Sequence, residues 1–96
     1  GGLAENICRV VPDNLSVEIN LNRIKPLKIF NWLKTYKISD KEMLETFNCG
    51  VGFCLIADSK NISKIKRMFP RGYTPYEIGY ISNDKNKVNL SKSLRW

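Results

Sequence analysis

Apolar positions recur in short segments whose period changes along the chain, and each change marks an element. Leu3, Ile7 and Val10 fall at i, i+4 and i+7, which predicts a short helix directly after Gly1-Gly2. Pro12 ends it and Asp13-Asn14 reads as a turn. From Ser16 to Leu21, Val17, Ile19 and Leu21 alternate with Glu18 and Asn20, the signature of a half-buried strand. Pro26 suits the first position of a helix running to about Tyr36. Ile29, Phe30, Trp32, Leu33 and Tyr36 give that helix a broad apolar stripe, with Lys28, Asn31, Lys34 and Thr35 toward water.

Ser39-Asp40-Lys41-Glu42 is a capping-box pattern ahead of Met43, Leu44 and Phe47. That helix should stop near Asn48, because Gly50 and Gly52 follow. Val51 to Ala57 is a nearly unbroken apolar run, which predicts a central strand buried on both faces. Ser59 is expected to cap a further helix with Ile62, Ile65 and Phe69 inward, stopped by Pro70. Tyr76 to Ile81 reads as a strand, Ser82 to Lys87 as a polar turn, and Val88 to Leu90 as its hairpin partner. Ser91 to Trp96 carries no pattern and reads as a tail beyond a domain of residues 1–90. Irregular alternation of helices and strands argues an α+β fold, with helices packed on a mixed sheet.

At 96 residues there is length for one small domain. Folding at that size removes roughly 60–65% of the extended chain's surface, enough for one modest core. Hydrophobic residues at 43% and charged residues at 26% are globular values and argue against a disordered tail. No apolar run reaches the ~20 residues of a membrane span, and the N-terminus does not read as a signal peptide. Three cysteines, an odd count, favour reduced thiols and a cytoplasmic setting. The absence of histidine removes Ser-His and Cys-His nucleophile pairs, histidine bases and histidine metal ligands. No Cys-x-x-Cys pair is present on which to build a zinc site.

The net charge is +7 and comes in blocks. Residues 23–37 carry Arg23, Lys25, Lys28, Lys34 and Lys37 without an acid. Residues 59–72 carry Lys60, Lys64, Lys66, Arg67 and Arg71, again without one. Such blocks permit nucleic acid or phosphate binding. Lys, Asn and Ile are all abundant, however, and an AT-rich genome alone would give the same basic surface. No RNA-binding signature surrounds Tyr76 and Tyr80, which weighs against a stacking platform.

Two places combine glycine, polar side chains and a helix end. Gly1-Gly2 runs into a helix carrying Glu5, Asn6 and Arg9, where free N–H groups and the helix dipole favour anions. Alternatively, it is only a flexible chain start. Thr46-Phe47-Asn48-Cys49-Gly50-Val51-Gly52 lies where a helix meets an apolar run, and its glycines allow sharp turns and close approach. Alternatively, it is a helix C-cap and a tightly packed strand. Cys49 and Cys54 read as small core residues, and the pair Glu42 and Glu45 as solvated carboxylates.

These motifs carry a resemblance. The strings Gly1-Gly2-Leu3-x-Glu5-Asn6-Ile7-x-Arg9-Val10-x-Pro12-Asp13, Phe30-x-Trp32-Leu33, Glu42-Met43-x-x-Thr46-Phe47-Asn48-x-Gly50-x-Gly52 and Tyr76-x-Ile78-Gly79 stand in one order. In that order and spacing they resemble the aminoimidazole ribonucleotide synthase (phosphoribosylformylglycinamidine cyclo-ligase) family, over about residues 1–82. The resemblance implies an ATP- and magnesium-dependent purine-biosynthesis ligase. Such an enzyme closes the imidazole ring of formylglycinamidine ribonucleotide, giving aminoimidazole ribonucleotide, ADP and phosphate. It implies a cytoplasmic homodimer whose N-terminal half holds most of the nucleotide and metal site. This chain resembles only the last part of the C-terminal α+β half, starting inside a His-x-Thr-Gly motif. Cys8 stands where the family usually has proline.

The resemblance therefore implies a fragment without cyclo-ligase activity of its own, and with no catalytic or metal residue. Gly1, Gly2 and Asn6 would lie near the substrate's ribose phosphate, and Thr46, Asn48 and Gly50 would line the same cleft. The competing readings are a stand-alone basic RNA-binding module and a non-catalytic regulatory relative.

Overall fold

A computed structural model describes Gly1–Trp96 as an α+β unit built on a three-stranded mixed sheet. Its helices are α1 (Leu3–Cys8), α2 (Lys28–Lys34), α3 (Asp40–Thr46) and α4 (Ile62–Met68). Its strands are β1 (Ser16–Asn20), β2 (Gly79–Ser82) and β3 (Val88–Ser91). No helix is long and apolar enough to cross a membrane.

β1 is the centre of the sheet, in the order β2-β1-β3. The alternation read from residues 16–21 holds, with Val17 and Ile19 buried. Glu18 points to the other face, where its carboxylate accepts from Ser82 Oγ at 2.7 Å and Asn89 Nδ2 at 3.0 Å. β2 pairs antiparallel with β1, Val17 opposite Ile81. At Gly79 a β-carbon would strike the backbone carbonyl of Glu18, so the strands meet at a spacing only glycine allows.

Val88 to Leu90 does not form a hairpin with β2. β3 pairs parallel with β1 along its other edge, Val17 opposite Val88. The cause lies in the intervening turn. Ser16 Oγ donates to the Asp84 carbonyl at 2.8 Å and accepts from the Asp84 amide at 3.1 Å. This pins the turn at the start of β1, and the chain passes around that end to the far edge.

The α1 helix keeps Leu3 and Ile7 buried but leaves Val10 70% exposed, and Val11 takes its place in the core. The helix ends at Cys8, and the amides of Val10 and Val11 both turn back to the Ile7 carbonyl, which rotates Val11 inward. In α2, Leu27 is the N-cap, so Pro26 stands before the helix rather than in it. Its apolar stripe divides. Phe30 and Leu33 pack on the core, while Ile29, Trp32 and Tyr36 stay at least half exposed. Trp32 and Tyr36 instead meet edge to face, centroids 5.2 Å apart.

The capping box of α3 forms as its sequence dictates. Glu42 N donates to Ser39 Oγ at 3.2 Å, and Ser39 N to Glu42 Oε2 at 3.3 Å. Met43 is then held fully buried.

The expected central strand over Val51–Ala57 is absent. Phe53 is 85% exposed, and Leu55 and Ile56 are half exposed. Both edges of β1 are taken by β2 and β3, so the run has no inner position in the sheet to enter. A 3-10 turn over Ser59–Asn61 comes first, capped by Asp58 through its Oδ1 and the Lys60 amide at 3.0 Å; Ser59 therefore does not cap α4, which follows Asn61 without a side-chain cap. Ile62 and Ile65 reach only half burial, and the helix ends before Pro70. Residues 91–96, read as a tail, pack onto the rest: Leu94 is buried, and Asn31 Nδ2 donates to the Trp96 carbonyl at 2.9 Å.

Candidate functional site

Gly2 and Gly50 are 48 positions apart in sequence, and the motifs that hold them are neighbours in space. Gly2 is buried as the N-cap of α1. A β-carbon there would collide with the backbone carbonyl of Leu44, in the last turn of α3. The missing side chain therefore lets the start of α1 sit on the backbone of α3, just ahead of Thr46.

After α3 the chain reverses tightly. Asn48 Oδ1 accepts from the Gly50 amide at 2.8 Å, and the Val51 amide returns to the Asn48 carbonyl at 3.0 Å. Cys49 and Gly50 at the centre of this turn have φ of 55° and 107°. Asparagine is suited to this position because its side chain caps the following amides, and glycine to the left-handed position. Gly50 packs closely on Leu27 and the Lys25 carbonyl, so the turn is also fixed from the α2 side. Cys49 is buried, with its thiol 3.6 Å from the Met43 carbonyl. Burial, and secondarily the charge of Asp40, raise its pKa, which makes it a packing residue rather than a nucleophile.

Thr46 and Asn48 are exposed, and Gly50 is half buried. Asn6 is exposed too, but its amide is engaged along its own helix. Asn6 Nδ2 donates to the Gly2 carbonyl at 2.8 Å, and Oδ1 accepts from Arg9 at 3.3 Å. Arg9 also pairs with Glu5 at 3.1 Å. The Glu5 carboxylate lies against Gly1, where it competes with any anion for the positive end of the helix.

The structure therefore brings Gly2 to the α3 end that carries Thr46, Asn48 and Gly50, while the side chain of Asn6 turns back onto α1. The largest groove, about 680 Å³, takes in Gly50 but none of the other five candidates. Its walls are residues 51–57, α4 and the Tyr73–Ile81 stretch. The apolar run at 51–57 was the sequence signal for this groove, read there as a buried strand.

Tyr76 is a residue that sequence reasoning undervalued. Its hydroxyl accepts from the Lys25 amide at 3.1 Å, and Lys25 Nζ stands 4.5 Å above its ring. It thus ties the segment before β2 to the loop on which Gly50 rests. Of the second basic block, Lys66 pairs with Glu77 at 3.6 Å, while Lys60, Lys64, Arg67 and Arg71 form no ion pair. No three His, Cys, Asp or Glu side chains converge.

Comparison with known proteins places this geometry. The family described as "AIR synthase related protein, C-terminal domain" matches residues 1–90. The phosphoribosylformylglycinamidine cyclo-ligase of Xylella fastidiosa (strain Temecula1 / ATCC 700964) is 37% identical in an alignment 94 residues long that covers 94% of this chain. The chain spans only 27% of that relative's length. No solved structure matches. With its fold, its paired glycine motifs and a family match over nearly its whole length, the chain belongs to the family of AIR synthase related protein C-terminal domains.

Proposed function

We propose that this chain is the substrate-contacting end of a phosphoribosylformylglycinamidine cyclo-ligase. That enzyme closes the imidazole ring of formylglycinamidine ribonucleotide with ATP, giving aminoimidazole ribonucleotide, ADP and phosphate. The observation that carries the reading is the contact of Gly2 with the Leu44 backbone. It sets the first family motif against the second in a chain 37% identical to a cyclo-ligase.

In this reading the residues 1–96 contribute binding and not chemistry. The amides beyond Gly2 and the polar groups of Thr46 and Asn48 face the ribose phosphate. The Asn6 side chain holds the first turn of α1 and exchanges its Arg9 contact for the ligand. Gly1 and Gly50 let backbone approach it closely. ATP and magnesium are held by polypeptide outside these residues, in a cytoplasmic homodimer, and residues 1–96 alone have no cyclo-ligase activity.

The test is a titration of the chain with formylglycinamidine ribonucleotide, followed by amide chemical shifts. Shifts concentrated at Gly2, Asn6, Thr46, Asn48 and Gly50 are expected. Saturating substrate that moves none of them overturns the site, and ring closure by the chain alone overturns its inactivity. The unpaired cations Lys60, Lys64, Arg67 and Arg71 favour one second reading, an RNA-binding surface. Phosphate contacts of that kind lose affinity steeply with salt, so a flat salt dependence removes it. A non-catalytic regulatory relative would bind the substrate in the same titration yet leave the complete protein without ring closure.

A further inference from the structure

Lys25, Pro26 and Leu27 connect a 3-10 turn at Leu21–Arg23 to the start of α2 and lie outside every helix and strand. The Lys25 amide meets no backbone acceptor. Its one hydrogen-bond partner is the hydroxyl of Tyr76, 51 positions further along, at 3.1 Å. Pro26 has no amide to give. Lys25 Nζ stands 4.5 Å above the Tyr76 ring, a cation–π contact that keeps the hydroxyl beside the amide. A tyrosine from the far end of the chain thus anchors this connection.

The turn of the candidate site rests on the same three residues. A β-carbon on Gly50 would come within 3.1 Å of the Leu27 amide nitrogen and 3.2 Å of the Lys25 carbonyl. The backbone on either side of Pro26 is therefore the floor under Gly50. The turn's own bonds join Asn48 Oδ1 to the Gly50 amide and the Val51 amide to the Asn48 carbonyl. They fix its shape but not its place. Its place comes from the floor, and Tyr76 holds the floor. We propose that Tyr76 is a positioning residue for the substrate: its hydroxyl, through the Lys25 peptide, sets where the Asn48–Gly50 turn presents its polar groups. This rests on the cyclo-ligase reading and goes beyond it, because Tyr76 acts through another residue rather than on the ligand. The bond is exposed, so water takes over the amide when the hydroxyl is lost. The fold then loses little, while the turn loses its fixed place.

The probe is formylglycinamidine ribonucleotide, titrated into the 96-residue chain and three variants of it. Tyr76→Phe removes only the hydroxyl. Its affinity should fall about three- to tenfold, the worth of one well-placed hydrogen bond. Without ligand, hydrogen exchange at Gly50 and Val51 should quicken while the amides of β1 keep their rates. Lys25→Met removes the charge and keeps the peptide, so it should weaken binding far less. Ser82→Ala removes a bond of similar kind on β2, from Ser82 Oγ to Glu18 at 2.7 Å. It should lower Tm at least as far as Tyr76→Phe and leave affinity unchanged. That split between Tm and affinity is what a merely structural tyrosine would not give.

Unchanged affinity in Tyr76→Phe overturns the proposal, whatever the exchange rates show. An equal loss in Lys25→Met also overturns it, in favour of the Lys25 charge as a direct contact. An equal loss in Ser82→Ala overturns it as well, since the effect is then one of stability. Wild type that binds no substrate overturns the cyclo-ligase reading and the proposal with it. The three variant outcomes arise only where wild type binds, so they strike the proposal alone.

Discussion

Trp96 donates its indole N–H to Asp40 Oδ1 at 2.8 Å, across 56 residues of sequence. Lys34 Nζ reaches the same oxygen at 2.9 Å, and Lys34 also donates to the Ile38 carbonyl at 2.6 Å. Asp40 is the first residue of α3, so the end of the chain, the end of α2 and the start of α3 converge on one carboxylate. These bonds hold the residues beyond the family match against the helix that leads into Thr46 and Asn48.

Replacing Trp96 with phenylalanine keeps most of the ring area and removes the donor. A hydrogen bond to a partly exposed carboxylate contributes about 1 kcal/mol. Trp96→Phe should therefore lower Tm by roughly 5 °C in a domain of this size. Thermal unfolding measures the drop. If the same substitution costs as much in an Asp40→Ala background, which has no side-chain acceptor, the bond is not its source.

The same carboxylate sets an acid response. Hydrogen bonds from Lys34 first and Trp96 second, with the Lys34 charge, hold the Asp40 pKa below the usual carboxylate range, against a smaller opposing effect of burial. A carboxylate with a lowered folded pKa stabilises the fold fully above its unfolded pKa, and loses that contribution as pH falls through the folded value. Wild type should thus lose stability below the ordinary range, near pH 4. Asp40→Asn should lose less over that interval. Denaturant midpoints at neutral and acid pH, compared between the two proteins, measure this. Equal losses would remove Asp40 as the source.

Met43 is the side chain on which the core closes. It is fully buried in the core cluster that holds Leu3 and Ile7 of α1 and Val17 and Ile19 of β1, and the Cys49 thiol rests on its carbonyl. Met43→Ala should cost about 2–5 kcal/mol, the range for opening a cavity at a packed site. With one small core, that loss approaches the total stability of a domain this size. Met43→Leu keeps the volume and should cost less than about 1.5 kcal/mol. Chemical denaturation of both variants gives the comparison.

What was legible in the sequence divides by the range of the interaction. The Ser39–Glu42 box needs only its own four residues, and it formed as read. The alternation at Val17 and Ile19 is likewise local. The placement of β3 was not legible, because it depends on Asp84 reaching Ser16, 68 residues away. The apolarity of Val51–Ala57 was plain, but a strand exists only with a partner, and β1 has none to offer. Val10 and Val11 exchanged roles because α1 ends at Cys8, two residues short of the Val10 that the periodicity takes in. For the candidate site, both glycine motifs were visible as strings. Their contact through Leu44 was not, since a close backbone approach leaves no mark on the sequence beyond the glycine itself.

That contact makes the sharpest prediction. The methyl group of Gly2→Ala would fall on the Leu44 carbonyl, backbone against backbone, where no rotamer change relieves it. The start of α1 must move away from α3, at about 1–3 kcal/mol, the usual cost of overpacking. The movement also draws the N-terminal amides of α1 off the α3 end that carries Thr46 and Asn48. Gly52→Ala is the control, because its added methyl meets nothing within 4 Å and the backbone there is not left-handed. It should leave stability unchanged or raise it by up to about 1 kcal/mol through the unfolded chain. Denaturation curves separate the two, and titration with formylglycinamidine ribonucleotide then reads the site. Weaker binding in Gly2→Ala alone places the glycine at the join between the two motifs. Equal binding in both variants would leave Gly2 a packing residue with no part in that site.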